Sequence, residues 1–278
     1  MKNMTLLQSF ALKYARRPGP DMALRIGLSA LLLFHLCACA PKPKTNNDQD
    51  GLRAAGYSPS PQISSILAEG PDIWVVSGHA DPNGRVRFLY GIPPRAIGIT
   101  ADGNGQFSAP LPASVSGSIY DVSMEDNGRL MQAEGRLFVP PGHADHAVLL
   151  RPGAPSQALF NTHQTLAVVD YDSRGALAVS GRVAPNRVVI ISAEGEPLAR
   201  TQSDSRGFYQ GLTAIAAAGL DRPLKLTIQE GTKVESRVVV LATRETARAT
   251  SDSVTPIEGG WKVDWAIPGG GYQTALVF

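Results

Sequence analysis

Cysteine is nearly missing from this chain: only Cys37 and Cys39 occur in 278 residues. Beyond position 39 there is no thiol, which excludes a disulfide framework and a cysteine-based metal site in the body. Stability there has to come from ordinary burial of apolar surface. Charge of one sign is also lacking, since residues 39–278 carry 21 basic and 23 acidic side chains. No basic face remains for nucleic acid. Segments with helical periodicity are scarce, the best being the short stretch Ala214 to Gly219. A hydrolase nucleophile on a sharp Gly-x-Ser-x-Gly turn, followed by an acid and a histidine, is not found. The expectation is a protein with no catalytic residues, no cofactor and no resident metal.

What is abundant is turn-forming residues. Glycine and proline together number 49, about 18% against a usual sum of roughly 12%. Between them lie apolar or alternating runs of about six residues. Ile73 to His79, Arg85 to Tyr90, Gln106 to Leu111, Ile119 to Met124 and Leu130 to Val139 read as strands, as do Ala176 to Val183, Arg187 to Ser192, Leu198 to Ser203, Phe208 to Leu212, Leu224 to Gln229 and Val234 to Leu241. In Leu224-Lys-Leu-Thr-Ile228 the apolar residues fall on one face, as in a sheet with one buried and one wet side.

Self-similarity organises these strands. Val76-Ser-Gly-His-Ala-Asp-Pro-Asn83 returns as Val179-Ser-Gly-Arg-Val-Ala-Pro-Asn186, and Thr100-Ala-Asp-Gly-Asn-Gly-Gln-Phe107 returns as Gln202-Ser-Asp-Ser-Arg-Gly-Phe-Tyr209. The offsets are 103 and 102 residues, so spacing within a copy is kept. A weaker echo links Pro152 to Phe160 with Pro268 to Phe278, and implies a trailing strand in each copy and a longer loop within Thr243 to Pro256.

The start of the chain has a different grammar. Arg25 precedes the apolar run Ile26 to Leu36, about eleven residues long, which is short of the roughly 20 needed to span a bilayer. A basic start, a short apolar middle and a small residue before the cut are the zones of a signal segment. Leu36-Cys37-Ala38-Cys39 resembles the bacterial lipobox, with Cys37 a tolerated departure in its second place. The resemblance implies cleavage before Cys39, a diacylglycerol on its sulfur and an N-acyl chain; two or more chains anchor stably where one does not. Ala40, where an aspartate would favour inner-membrane retention, implies the outer membrane. The long basic lead of residues 1–21 makes Met22 the more compact start.

The V-S-G strand, the A-D-P-N-G turn (Ala80 to Gly84) and the A-D-G-N-G-Q-F hairpin (Ala101 to Phe107) resemble bacterial immunoglobulin-like domains of envelope and adhesive proteins. The antibody subtype is excluded, because its paired cysteines and tryptophan are missing. The expected fold is all-β: two tandem immunoglobulin-like antiparallel sandwiches after a cleaved signal peptide and a flexible tether. Residues 1–38 form the signal peptide, 39–60 the lipidated tether, 61–160 the first domain with its trailing strand, and 161–278 the second with a C-terminal aromatic hairpin.

The expected role is a non-catalytic interaction or scaffolding module of the envelope, held to the lipid bilayer through Cys39 and meeting an envelope protein or a polysaccharide. Trp261, Trp265 and Tyr272 form the candidate contact surface, with an aromatic strand pair closing the second sandwich as the plainer account. Gly142-His-Ala-Asp-His146 supplies three donors where zinc asks for three or four, and reads as a solvated loop between domains. Asp102-Gly-Asn104 lacks the later ligands of a calcium loop and reads as a hairpin turn. Asp121, Glu125, Asp170 and Asp172 are the acids from which a hidden site would have to be built.

Overall fold

The computed structural model describes residues 58–126, 128–159, 164–243 and 251–278, together with Gly56. Cys39, the leader, nearly all of the tether, His163 and half of the expected long loop, residues 244–250, lie outside these residues. Among the described residues every regular element longer than three residues is a strand. The stretch read as helical contributes only a 3₁₀ turn at Ala217–Gly219.

In chain order the first copy gives β1 (Gln62–Ala68), β2 (Ile73–His79), β3 (Arg85–Tyr90), β4 (Arg95–Thr100), β5 (Gln106–Pro112), β6 (Ser118–Asp126), β7 (Arg129–Gln132), β8 (Arg136–Val139), β9 (Val148–Leu150) and β10 (Gln157–Ala158). The second gives β11 (Val168–Tyr171), β12 (Ala176–Arg182), β13 (Val188–Ala193), β14 (Glu196–Gln202), β15 (Phe208–Ala214), β16 (Pro223–Glu230), β17 (Lys233–Val240), β18 (Ser253–Ile257), β19 (Gly260–Ala266) and β20 (Tyr272–Val277). The run expected as one strand, Leu130 to Val139, is broken at residues 133–135 into β7 and β8.

The copies share a topology. Sheet β1-β2-β5 faces sheet β4-β3-β6 with β7 on β6, and β11-β12-β15 faces β14-β13-β16-β17 in the same order. The first core sets Trp74, Val76, Phe107 and Leu111 against Val86, Phe88, Tyr120 and Met124, with Phe107 and Tyr120 edge-on to Phe88 at 6.2 and 6.4 Å. The second sets Val169, Leu177, Val179 and Tyr209 against Val189, Ile191, Leu224, Leu226 and Ile228.

The repeated motifs are packing and turn devices. Gly78 and Gly181 end the V-S-G pattern because a Cβ on either would overlap a facing carbonyl, that of Gln62 or Thr165, and the ring of Phe107 or Tyr209. Each aromatic thus lies over its own glycine. Gly78→Ala and Gly181→Ala are each expected to cost about 1–3 kcal/mol as overpacking, read as a lower urea midpoint at unchanged slope. Gly103→Ala, with open space around its Cβ, is the near-neutral control.

Asp102 Oδ1 accepts the backbone N–H groups of Asn104 and Gln106, both at 2.8 Å. Asp204 does the same for Arg206 and Phe208 at 2.7 and 2.9 Å. Gly105 and Gly207 close these turns at positive φ, the geometry glycine adopts without strain. Asp172 repeats the arrangement on Arg174 and Ala176. All three aspartates spend their side chains on the turn.

The copies part ways in their last three strands. β7 is four residues long and covers only Ser123 to Asp126 of β6, so Ser118 to Tyr120 is left to pair with β8, and β8-β9-β10 extends that sheet. β17 covers β16 along its whole length, from Pro223 to Glu230. With that edge closed, β20 pairs with β11 on the opposite sheet, and β19 and β18 follow.

A candidate functional site at the junction of the copies

The two trailing meanders meet. Phe138, Val148, Leu150 and Ala158 of the first copy bury against Val168, Val263, Trp265, Ala275 and Val277 of the second, forming a third core. Strands β11 and β20 are therefore covered on both faces, and every residue of β11 is buried. The expectation of one wet face per sheet fails here because a second layer lies on it. The loop Gly142 to His146, read as lying between domains, instead joins β8 to β9 inside the first copy.

This third core decides the fate of the candidate contact surface. Trp261, Val263 and Trp265 share a face of β19, as period two requires, but that face points into the junction. Trp265 is 0% exposed and is interior rather than contact surface. Its indole N–H is buried without a hydrogen-bond partner among the described residues. Trp261 and Tyr272 are half-buried. Trp261 leans on His143 and His146, with ring centroids at 5.3 and 5.6 Å.

Around the apolar centre the junction is stapled by polar groups. Asp170, on the buried strand β11, accepts the backbone N–H of Ser156 at 2.7 Å and its hydroxyl at 2.6 Å. The Ser180 hydroxyl, on β12, donates to the Ser156 carbonyl at 2.8 Å. Gln273, on β20, accepts from the Gly153 N–H at 3.0 Å and donates to the Arg151 carbonyl at 3.3 Å. Three strands of the second copy thus hold one turn of the first, residues 151–156. On the far rim Arg136 of β8 bridges Asp121 at 2.6 Å and Asp252 at 2.8 Å.

Burial dominates the electrostatics. Asp170 is 1% exposed, and loss of hydration pushes its carboxyl up to about 7, against the opposing effects of the Ser156 and Gln273 hydrogen bonds and the Arg151 charge. Desolvation likewise pushes up the Tyr209 phenol, whose O–H donates to the Thr165 carbonyl at 2.6 Å.

Beside the staple a cleft of about 610 Å³ opens between the copies. Arg151, Ser156 and Ser180 line one part, and Arg206, Phe208 and Tyr209 another. Two guanidinium groups approach the Phe208 ring, Arg182 at 5.3 Å and Arg206 at 5.4 Å from its centre. The two cations of the cleft are each paired within its lining, Arg151 with Glu134 and Arg206 with Asp204, so the cleft offers hydrogen-bonding groups and an aromatic face, which suits a polar ligand segment.

No family model matches this chain, and no curated protein matches it. Among solved structures, a chain described as "Biofilm associated protein - BSP domain" is similar at 14% identity and a TM-score of 0.24, covering 71% of this chain. The present chain spans 32% of that one's length.

The four acids that sequence offered for a hidden site are not gathered. Asp170 is committed to the staple, Asp172 to a turn and Asp121 to Arg136, while Glu125 is exposed on β6. His143, Asp145 and His146 do converge, on the surface beside Trp261. The cleft residues Ser156, Arg206 and Phe208 escaped sequence reasoning, because no local pattern marks a groove assembled from segments far apart in the chain. The one signal available was the duplication itself, since Phe208 adjoins the second copy of the Gly-aromatic motif.

Proposed function

We propose that this protein is a lipid-anchored, non-catalytic interaction module of the bacterial envelope, with its outer-membrane placement implied by Ala40. Acyl chains on Cys39 hold it to a leaflet, residues 40–60 give reach, and the junction cleft meets an envelope protein. The observation that supports this reading is the shared third core. It fixes the two copies in one geometry, so the cleft between them is a preformed surface rather than a hinge. Confinement near a membrane raises effective concentration, so a modest contact suffices. The polysaccharide alternative asks for Trp261 or Trp265 exposed beside polar side chains; Trp265 is buried and Trp261 half-buried, which leaves Trp261 alone to carry it.

Two measurements test the reading. Cys39→Ala is expected to abolish incorporation of radiolabelled palmitate and to move the protein out of the membrane fraction. A photo-crosslinker at Gln210, in the cleft lining, is expected to capture a discrete protein adduct from native membranes, whereas one at Val115, 99% exposed outside the cleft, captures none. Equal capture at both positions would reject the cleft. Retained palmitate in the Cys39 variant would reject the anchor.

A further inference from the structure

We propose that His143, Asp145 and His146 form a surface site for a first-row divalent transition ion, Cu²⁺, Ni²⁺ or Zn²⁺, with Trp261 as its wall. The sequence shows three donors in four residues and no fourth, which reads as a solvated loop. The structure adds the geometry. Asp145 Oδ1 lies 3.5 Å from His143 Nδ1 and 3.3 Å from His146 Nδ1. All three donor atoms lie within 4.8 Å of one another. A tetrahedral site with bonds of about 2.1 Å separates its donors by about 3.4 Å, so the two spacings from Asp145 already fit and the two imidazole nitrogens would have to draw together.

The loop that carries the donors is held in place. A 3₁₀ turn at Ala144–His146 is fixed by the His146 N–H to His143 carbonyl and Ala147 N–H to Ala144 carbonyl bonds, both 3.2 Å. Ala144 and Ala147 are buried in the first core, and the Ala147 carbonyl accepts the Leu159 N–H at 3.0 Å. The alanines face inward, which leaves His143 and Asp145 exposed, while the His146 Nδ1 atom is itself covered beside them. The side chains of His143, Asp145 and His146 are 53%, 72% and 22% exposed, so an ion would be reached from the His143 and Asp145 side. The two imidazoles pack edge-on at 5.6 Å, and both lie against the indole of Trp261.

Two imidazole nitrogens and one carboxylate favour Cu²⁺, Ni²⁺ and Zn²⁺ over Mg²⁺ and Ca²⁺, which prefer all-oxygen sites. Three protein ligands leave open positions, as in sites that bind a further ligand on the metal.

The test titrates the untagged full-length chain, in detergent, with CuCl₂, NiCl₂ and ZnCl₂ under calorimetry and tryptophan fluorescence. One saturable equivalent is expected, with quenching by Cu²⁺ because Trp261 adjoins both ligands. The His143→Ala/His146→Ala variant is expected to weaken binding on the order of 100-fold, beyond the effect of losing merely supporting groups. Trp261→Phe is expected to keep the calorimetric site and lose most of the quenching. Should the double variant fold poorly, nuclear magnetic resonance of the wild type decides instead: Cu²⁺ broadens the His143 and His146 ring signals before that of His79. Absence of a saturable equivalent, loss under tenfold in the folded double variant, early broadening at His79, or an equal response to MgCl₂ overturns the site.

Discussion

Trp265→Ala is expected to be the most damaging single substitution in the body, at about 3–5 kcal/mol. The residue is the largest fully buried side chain among the described residues and sits in the core that belongs to neither copy alone. Whole-domain stabilities are about 5–15 kcal/mol, so this loss decides whether the junction persists. Urea unfolding of the wild type, followed by circular dichroism and by fluorescence, is expected to show one coincident transition. The alanine variant is expected to show two, because each sandwich keeps its own core while their coupling is lost. Trp265→Phe is the informative contrast: it keeps most of the apolar contact and removes an indole N–H that has no acceptor among the described residues, so its cost is expected to be well under half. A Trp265→Ala protein that unfolds in one step, within about 1 kcal/mol of wild type, would falsify the account of the junction.

The second large effect is a dependence of stability on pH through Asp170. Its carboxyl titrates near 7 in the folded protein, against an ordinary value of 3.8. Between those values the native state holds a proton that the unfolded chain has released, so stability falls as pH rises. The contribution is fully present below about pH 4, is lost progressively up to about pH 7, and is flat above. A displacement of about three pH units corresponds to ~4 kcal/mol. Most other carboxylates push the opposite way in acid, so the effect is read as a difference between wild type and Asp170→Asn across pH 4 to 8. Asparagine can still accept the Ser156 N–H and carries no titrating proton, so its profile is expected to lack this slope. A difference curve that stays level, or rises with pH, would sink the argument.

What the sequence revealed and what it hid follow one physical line. Local chemistry was legible. The Asp–Gly turns at 102–105 and 204–207 depend on side chains two and four residues from the backbone they hold, and the V-S-G glycines recur at matched spacing because each meets its own aromatic ring. Strands with one wet face, such as β5 and β16, alternate and were found nearly to the residue. The junction was not legible. β9, β11 and β20 are covered on both sides, so their apolar residues run without alternation, and Asp170 reads like any surface acid until Ser156 is placed against it. The decisive difference between the copies is one of length: a four-residue β7 leaves an edge that an eight-residue β17 closes. No motif announces which sheet a later meander will join. His143, Asp145 and His146 were visible as residues, but their mutual distances and the neighbouring Trp261 required the fold.

The duplicated pattern suggests beads on a string, and the third core makes that image wrong. Phe138, Val148 and Leu150 on one half, and Val263, Trp265 and Val277 on the other, are two sides of a joint that neither half can cover alone. Cutting the chain between the halves would bare an oily seam on each piece, although both pieces keep a complete sandwich. The duplication has therefore produced partners that depend on each other, and whatever pulls or binds on one half is felt by the other.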